Sequence, residues 1–333
     1  MKILVFFDLH RAPLPDETFS ARELREDEGK PTEADVLQCL KRLGHEVDTL
    51  AVFDNVLATV EKIKSFQPDV VFNLTESFHA TRAHEPNVSA LLELLKVRYT
   101  GAGPDALLLC KDKSLAKKLL AYHHVRVARF VVSHRARPLR GLKRFVYPAF
   151  VKPINQESSD GISQASFARD EGEVLERVKF LHEKFSDDVL IEEYIEGREL
   201  YLSVLGNKRL TVFPARELFF GEVPADVPKF ATSKAKWDDA YRKKWGIKNG
   251  APAPLPDGVA AKLEQVARKV YRVLKIRGLG RIDVRLTAAN EIIVIEANPN
   301  PSLAKEDDFA QSAIAAGMDY DALIQKILDN AAA

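Results

Sequence analysis

The stretch "EIIVIEANPNPSL", Glu291 to Leu303, combines a strand-like apolar run with residues that could do chemistry. Its branched residues predict a buried strand, yet it finishes on Glu296 and Asn298. A buried carboxylate without a counter-charge takes up a proton, so Glu296 calls for a cation. The preceding segment, "GRIDVRL", predicts the partner strand. Alternation puts Arg281, Asp283 and Arg285 on one face and Ile282, Val284 and Leu286 on the other. In the second strand Ile292, Val294, Glu296 and Asn298 are expected to share a face. Pairing Asp283 with Val294 makes the faces agree and brings Arg281, Asp283, Glu296 and Asn298 together; a slip of one residue separates them. Two carboxylates and an amide oxygen are hard donors, suited to Mg²⁺ completed by phosphate oxygens and water. The competing description is an Arg281–Glu296 salt bridge on a solvated face.

Two further segments carry polar residues at strand ends. In "FVKPINQESSDGIS", Lys152 ends a strand, and Ser158, Ser159 and Gly161 follow in a turn where backbone N–H groups can approach an anion. The Walker A pattern is absent, and an ordinary surface loop fits the segment as well. In "VLIEEYIEGREL", Glu192, Glu193 and Glu199 form either a solvated face or, with Val189–Ile191, Tyr194 and Ile195, a wall for a flat heterocycle. His79, His84, His123 and His124 match no zinc spacing. Cys39 and Cys110 each sit in an apolar, helix-like stretch and are expected to be small core residues.

The elements that must position these residues follow from periodicity. Strand and helix patterns alternate over the first hundred residues, from "KILVFF" through "HEVDTLAVF" and "PDVVFNL", which predicts a doubly wound parallel α/β sheet. A polar loop is expected from about 8 to 30. "CKDKSLAKKLLAYHH" predicts a helix with its lysines on the exposed side. From "GREL" onward the pattern is hairpin-like, α+β in character. "FATSKAKWDDAYRKKWG" is expected to be a mobile loop, and "DGVAAKLEQVARKVYRVLKI" an amphipathic helix. Three units are expected: 1–103, 104–198 and 199–333. The 333 residues suffice for such a core. Net charge is +1, which gives no reason to expect nucleic acid or a membrane as partner. The opening "MKILVFFDLH" is too short for a signal peptide and no apolar run spans a bilayer, so a cytoplasmic protein is expected.

Taken in order, Lys113, Lys152, "ESSDGIS", "LIEEYIEGREL", "KAKW", "GRIDVRL" and "VIEANPNP" resemble the ATP-grasp superfamily, and within it the D-alanine–D-alanine ligase family. The resemblance covers most of the chain and is strongest from about Val71 onward. It implies an ATP-grasp fold behind a parallel α/β domain, with ATP and Mg²⁺ (Mn²⁺ as a substitute) as cofactors. It implies that Lys113 and Lys152 touch phosphates and that Ser158, Ser159 and Gly161 cover them. By the same resemblance Glu192, Glu193, Tyr194 and Ile195 form the adenine hinge and Glu199 holds the ribose. Lys236 is a phosphate contact on a lid; Asp283, Glu296 and Asn298 are metal ligands; Arg281 faces the oxyanion. The implied reaction phosphorylates a carboxylate to an acyl phosphate, which an amine then attacks. The resemblance also implies a homodimer formed through the first domain.

The substrate side departs from the family. "FFDLHRAPLPDETF" replaces the Gly-rich, Ser-Glu segment that holds the first substrate. "FNLTESFHATRAHEPN" offers Glu76, His79 and Glu85 where the family has His-Gly and Glu-Asp-Gly. "PNPSLAKEDDF" puts Asp307 near the position of an expected serine. The acidic run Glu306–Asp307–Asp308 favours an amine over a carboxylate, or else caps the next helix. The expectation is therefore a carboxylate–amine ligase with an altered substrate site. The alternatives are an orthodox D-alanine–D-alanine ligase and a non-catalytic ATP-binding regulator.

Overall fold

The computed structural model describes residues 1–14, 17–135, 137–156, 159–224 and 226–332. The first sheet holds β1 (Lys2–Asp8), β2 (Glu46–Val52) and β3 (Val70–Asn73), all parallel, in the order β2-β1-β3. The connecting helices are α1 (Ala21–Glu26), α2 (Pro31–Arg42), α3 (Val56–Phe66) and α4 (Glu85–Leu94). Strand β1 is apolar from Ile3 to Phe7 because it is covered on both faces. Leu4 and Phe6 pack with Ile63 of α3 and Leu92 of α4. Ile3, Val5 and Phe7 face Leu37 and Leu40 of α2. The helix α1 replaces part of the expected polar loop; Ser20 and Glu23 close a capping box at its start.

Two helices, α5 (Pro104–Lys111) and α6 (Lys113–Tyr122), lead to an antiparallel sheet of β4 (Phe130–Ser133), β5 (Ala149–Pro153), β6 (Phe167–Ala168) and β7 (Val189–Glu193), ordered β4-β7-β5-β6. The helix α7 (Glu171–Phe185) buries Val174, Val178 and Leu181 against Val151 and Ile191.

The largest sheet contains β8 (Arg198–Gly206), β9 (Leu210–Val212), β10 (Arg216–Phe220), β11 (Ile247–Gly250), β12 (Leu279–Leu286) and β13 (Ile292–Asn298), with the path β11-β10-β8-β12-β13 and β9 on the side of β8. The expected mobile loop before β11 instead forms two short helices, α8 (Ser233–Trp237) and α9 (Asp239–Lys244). Thr232 and Asp238 cap them by accepting from Ala235 N and Tyr241 N at 3.0 and 2.8 Å. The helix α10 (Val259–Val273) presents Val259, Leu263, Ala267 and Val270 to one face of this sheet, where Leu200, Leu202, Ile282 and Val284 meet them. The opposite face carries the polar residues of β8 and β12.

The last helices, α11 (Asp308–Ala315) and α12 (Tyr320–Ala332), return to the first sheet. Leu323, Ile324, Ile327 and Leu328 pack in the same cluster as Ile3, Val5 and Phe7. Cys39 lies there too, its thiol donating to Asp321 of α12 at 3.3 Å. Among the described residues, no helix is long and apolar enough to cross a membrane.

Candidate active site

The hairpin β12–β13 does bring its polar residues together, but not in the expected register. Asp283 faces Glu296, not Val294, and Arg281 faces Asn298; beyond a shift at Asp283, Val284 faces Val294. Ile295 is therefore the extra residue of a β-bulge. The bulge corrects a second expectation as well, because Val294 and Glu296 end up on opposite faces. Val294 is buried under α10, while Ile295 and Glu296 both line a cleft of about 580 Å³ between the two antiparallel sheets.

Across the polar face, β8 and β12 form three cross-strand pairs: Arg281 with Ser203, Asp283 with Tyr201, and Arg285 with Glu199. Arg281 grips Asp283 through Nε and Nη2 at 2.8 and 2.9 Å, a bidentate contact. Its guanidinium lies 4.8 Å from the ring centre of Tyr201. The competing Arg281–Glu296 salt bridge does not form; Arg281 pairs with Asp283. Among the described residues, Glu296 accepts no hydrogen bond and has no ion-pair partner within 4 Å. Burial opposes its charge, yet Lys152, Lys113, Lys236 and Arg281 together lower its pKa to about 2. Its neighbour Asp283 moves the other way, since burial and the charge of Glu296 outweigh Arg281. The Asn298 side-chain oxygen accepts from Asn300 N at 3.1 Å and keeps a second lone pair. Glu296, Asp283 and Asn298 are thus oxygen donors at one strand end, and Glu296 is an ionised carboxylate with no protein donor in contact. That donor set fits a hard divalent cation that also carries phosphate.

The lysine arrangement differs from the expected solvated helix face. Lys113 and Lys117, one turn apart on α6, are both buried. Lys113 donates to Ile154 O at 3.1 Å and to Gln156 O, at the start of the serine-containing loop. Lys117 and Lys152 approach opposite oxygens of Glu192 at 2.9 and 2.7 Å. All three side chains are 4% exposed or less. Burial lowers the pKa of Lys117 despite Glu192. Burial acts on Lys152 too, but Glu192 and Glu296 hold its pKa above the ordinary lysine value. Glu192 stays below the usual carboxylate range because the two lysines overcome its burial. Lys117 is expected only as one of the exposed lysines of this helix and not as a site residue; its place one turn after Lys113 is the signal that could have found it.

The expected hinge therefore divides. The Glu192 carboxylate is engaged by lysines, whereas Glu193, Tyr194 and Ile195 line the cleft beside Phe150, Phe230 and Ile295. The Phe230 ring meets Phe150 edge-on at 4.8 Å. Glu199, Ser159 and Lys236 line the same cleft. Ser159 donates to Ala231 O at 3.0 Å. Gly161 has φ +74, and a Cβ there would stand 2.9 Å from Phe185 and 3.1 Å from Pro153, so the loop closes tightly over β5. Ser158 lies outside the described residues.

A second cavity, of about 510 Å³, lies where the first sheet meets the turn after β13, with Glu33, Glu76, Asn73, Asn300 and Ser302 on its walls. Asp307 stands at the start of α11 without making a capping hydrogen bond. Burial raises its pKa, against the influence of the nearby Ser302. Asp308 accepts from Asn249 at 2.6 Å and from Arg216 at 3.4 Å.

With this geometry in place, comparison with known proteins is informative. A family model described as "D-ala D-ala ligase C-terminus" matches residues 113–329. An uncharacterized protein of Sinorhizobium fredii, y4sG, is 29% identical over 88% of this chain and 85% of its own length. The D-alanine–D-alanine ligase of Bordetella petrii is 32% identical over 84% of this chain and 81% of its own. That of Moorella thermoacetica is 30% identical over 88% and 91%. The crystal structure of D-alanine–D-alanine ligase from Bacillus anthracis complexed with ATP superposes with a TM-score of 0.76 at 20% identity, covering 99% of this chain and 97% of that one. The chain belongs to the D-alanine–D-alanine ligase family of ATP-grasp enzymes, ATP-dependent ligases that form C–N bonds.

Proposed function

We propose that this ligase joins a carboxylate to an amine whose identity differs from D-alanine. The observation that carries the ligase chemistry is Glu296: half-buried, facing the cleft, held ionised by the field of Lys152, Lys113, Lys236 and Arg281, and among the described residues out of contact with any cationic side chain. In this proposal Glu296, Asp283 and Asn298 hold Mg²⁺ or Mn²⁺. When bound, that cation neutralises phosphate charge in the transition state. Lys113, Lys152 and Lys236, with Ser158, Ser159 and Gly161, hold the phosphates. Glu193, Tyr194 and Ile195 border the adenine, Glu199 takes the ribose hydroxyls, and Glu192 acts through Lys152. The substrate carboxylate attacks the γ-phosphorus as its bond to ADP breaks, giving an acyl phosphate. The amine then adds to the acyl carbon, phosphate departs with the C–O electrons, and the nitrogen sheds a proton. Arg281 has Nε and Nη2 committed to Asp283, so Nη1 is left to donate to the developing oxyanion. The lid helix bearing Lys236 keeps water from the acyl phosphate.

The altered substrate is supported by the acidic rim of the second cavity. Glu33 and Glu76 line that cavity, paired with Lys30 at 3.1 Å and Arg82 at 3.5 Å, and Asp307 lies beside Ser302 of its wall, within the field of Arg281 and Asp308. Such a rim attracts an ammonium and repels a carboxylate. An orthodox D-alanine–D-alanine ligase is the second reading, favoured by the relatives of that name at 30–32% identity. The test is phosphate release from ATP with Mg²⁺ across D- and L-amino acids, dipeptides and polyamines, with products identified by mass and Glu296→Gln as control. Turnover with D-alanine alone would overturn the altered-substrate proposal. Turnover with another pair would establish it. We also expect a cytoplasmic homodimer from the family resemblance, which sedimentation and cell fractionation check.

A further inference from the structure

Arg285 is buried on the polar face of β12 and is used by nothing in the mechanism above. Its guanidinium makes three contacts of 2.8 Å each. Nη1 donates to Gly197 O, and Nη2 donates to both Glu199 Oε2 and Lys229 O. These partners belong to three different parts of the cleft: the hinge after β7, the start of β8, and the wall that leads into the α8 lid. The hinge comes this close to β12 only because residue 197 is glycine. Its φ is +155, and a Cβ would lie 2.4 Å from Leu286 O.

Glu199 is fixed from both sides. Tyr201 Oη donates to Oε1 at 2.9 Å while Arg285 occupies Oε2. Lys229 is likewise held twice, since its N–H donates to Tyr194 Oη at 3.2 Å. Two residues further on, Ala231 O receives Ser159. A carboxylate alone on a strand could take several rotamers; one locked by a guanidinium and a phenol presents its remaining lone pairs in a single direction.

We propose that Arg285 is the positioning residue of the nucleotide site: it orients Glu199 for the ribose hydroxyls and ties that carboxylate to the hinge and to the lid's base at Lys229. Sugar recognition and lid position are thereby joined through one side chain. The inference rests on Glu199 being the ribose acid, as proposed above. A lysine cannot replace this fork, because a single ammonium does not span three acceptors in one plane.

The test is calorimetric binding of ATP, 2′-deoxy-ATP and 3′-deoxy-ATP, with Mg²⁺ and no amino acid, to the full chain and to Arg285→Met and Arg285→Lys. Loss of one oriented acceptor for a sugar hydroxyl is expected to be worth about tenfold in discrimination. Wild type should prefer ATP over a deoxy analogue by about that factor. Arg285→Met should erase the preference, and Arg285→Lys should restore only part of it. ATP should slow proteolysis of the 221–246 segment in wild type but not in Arg285→Met. If Arg285→Met does not fold, Arg285→Lys in a Glu199→Gln background decides, since the second change should then add nothing to discrimination. Wild-type discrimination in a folded Arg285→Met, or in Arg285→Lys, would overturn the inference while leaving the nucleotide site standing. Failure of wild type itself to bind ATP or to prefer it would sink the ribose assignment, and the inference with it.

Discussion

Replacing Glu192 by Gln puts the buried lysine cluster to a quantitative test. One carboxylate touches Lys152 at 2.7 Å and Lys117 at 2.9 Å, so the two ammonium groups lie within about 8 Å of each other. With the carboxylate gone, their repulsion at an effective dielectric near 20 is roughly 2 kcal/mol. Two buried ion-pair contacts are lost as well, and breaking a buried ion pair from one side typically costs about 3–5 kcal/mol. The variant has one escape, which is to deprotonate Lys117, the lysine whose pKa burial already lowers. At pH 7 that costs about 5 kcal/mol against an unfolded lysine titrating near 10.4, which caps the loss. The sign with pH follows. A lysine that is neutral when folded and charged when unfolded leaves the unfolded state holding the extra proton, so stability rises with pH below about 10.4. The rise is at most about 1.4 kcal/mol per unit. We therefore expect Glu192→Gln to lose about 3–5 kcal/mol at pH 7, by urea unfolding followed with far-ultraviolet circular dichroism. The deficit against wild type should shrink between pH 7 and 9.5. A deficit below about 1 kcal/mol, or one that ignores pH over that range, would refute the account of the cluster as a mutually dependent triad.

Other perturbations separate the remaining parts of the site. Glu296→Gln should abolish ATP-dependent turnover. Because the wild-type carboxylate titrates near 2 when folded, its contribution to stability is complete above the unfolded value near 4.3 and disappears as pH falls toward 2. Acid titrations of the two proteins should diverge in slope only in that window, and equal slopes would contradict the ionised, cation-surrounded glutamate. Asp307→Ser should raise the KM for the amine substrate at least tenfold while leaving ATP affinity unchanged; an unchanged amine KM would reduce Asp307 to a structural residue. Ile324→Ala, which empties a fully buried position beneath the first sheet, should cost about 2–5 kcal/mol by denaturant unfolding.

The sequence makes some of this architecture legible and hides the rest for identifiable reasons. Alternation in "GRIDVRL" and the apolar run before Glu296 announce a hairpin with a polar end, because strand periodicity is local. Its register is not local. The bulge at Ile295 has no signature in the residue types, and it alone decides that Val294 points into the core while Ile295 and Glu296 share the cleft. Lys113 and Lys117 looked like a solvated helix face, since lysine is almost never fully buried without a partner. The partner of Lys117, Glu192, lies on a strand some seventy-five residues later, and Lys113 donates to Ile154 O and Gln156 O, all beyond the reach of any helical pattern. The same applies to Arg285, whose hydrogen-bond partners are spread from Gly197 to Lys229. "FATSKAKWDDAYRKKWG" was polar enough to pass for a mobile loop, but its caps at Thr232 and Asp238 make two short helices.

The return of α12 to the first sheet has a consequence for how this chain is made. Ile3, Val5 and Phe7 are synthesised some three hundred residues before Leu323 to Leu328, which form part of the surface that covers them. That face of β1, covered in part by Leu37 and Leu40 of α2, must therefore wait for α12 while the intervening chain is translated. At about 5–20 residues per second, that wait is some tens of seconds. Apolar surface exposed that long is a substrate for chaperones, and a chain cut short before α12 would lose part of the cover of its first sheet while keeping Glu296 and its neighbours in sequence. Nonsense or frameshift changes that remove α12 should thus present as insolubility.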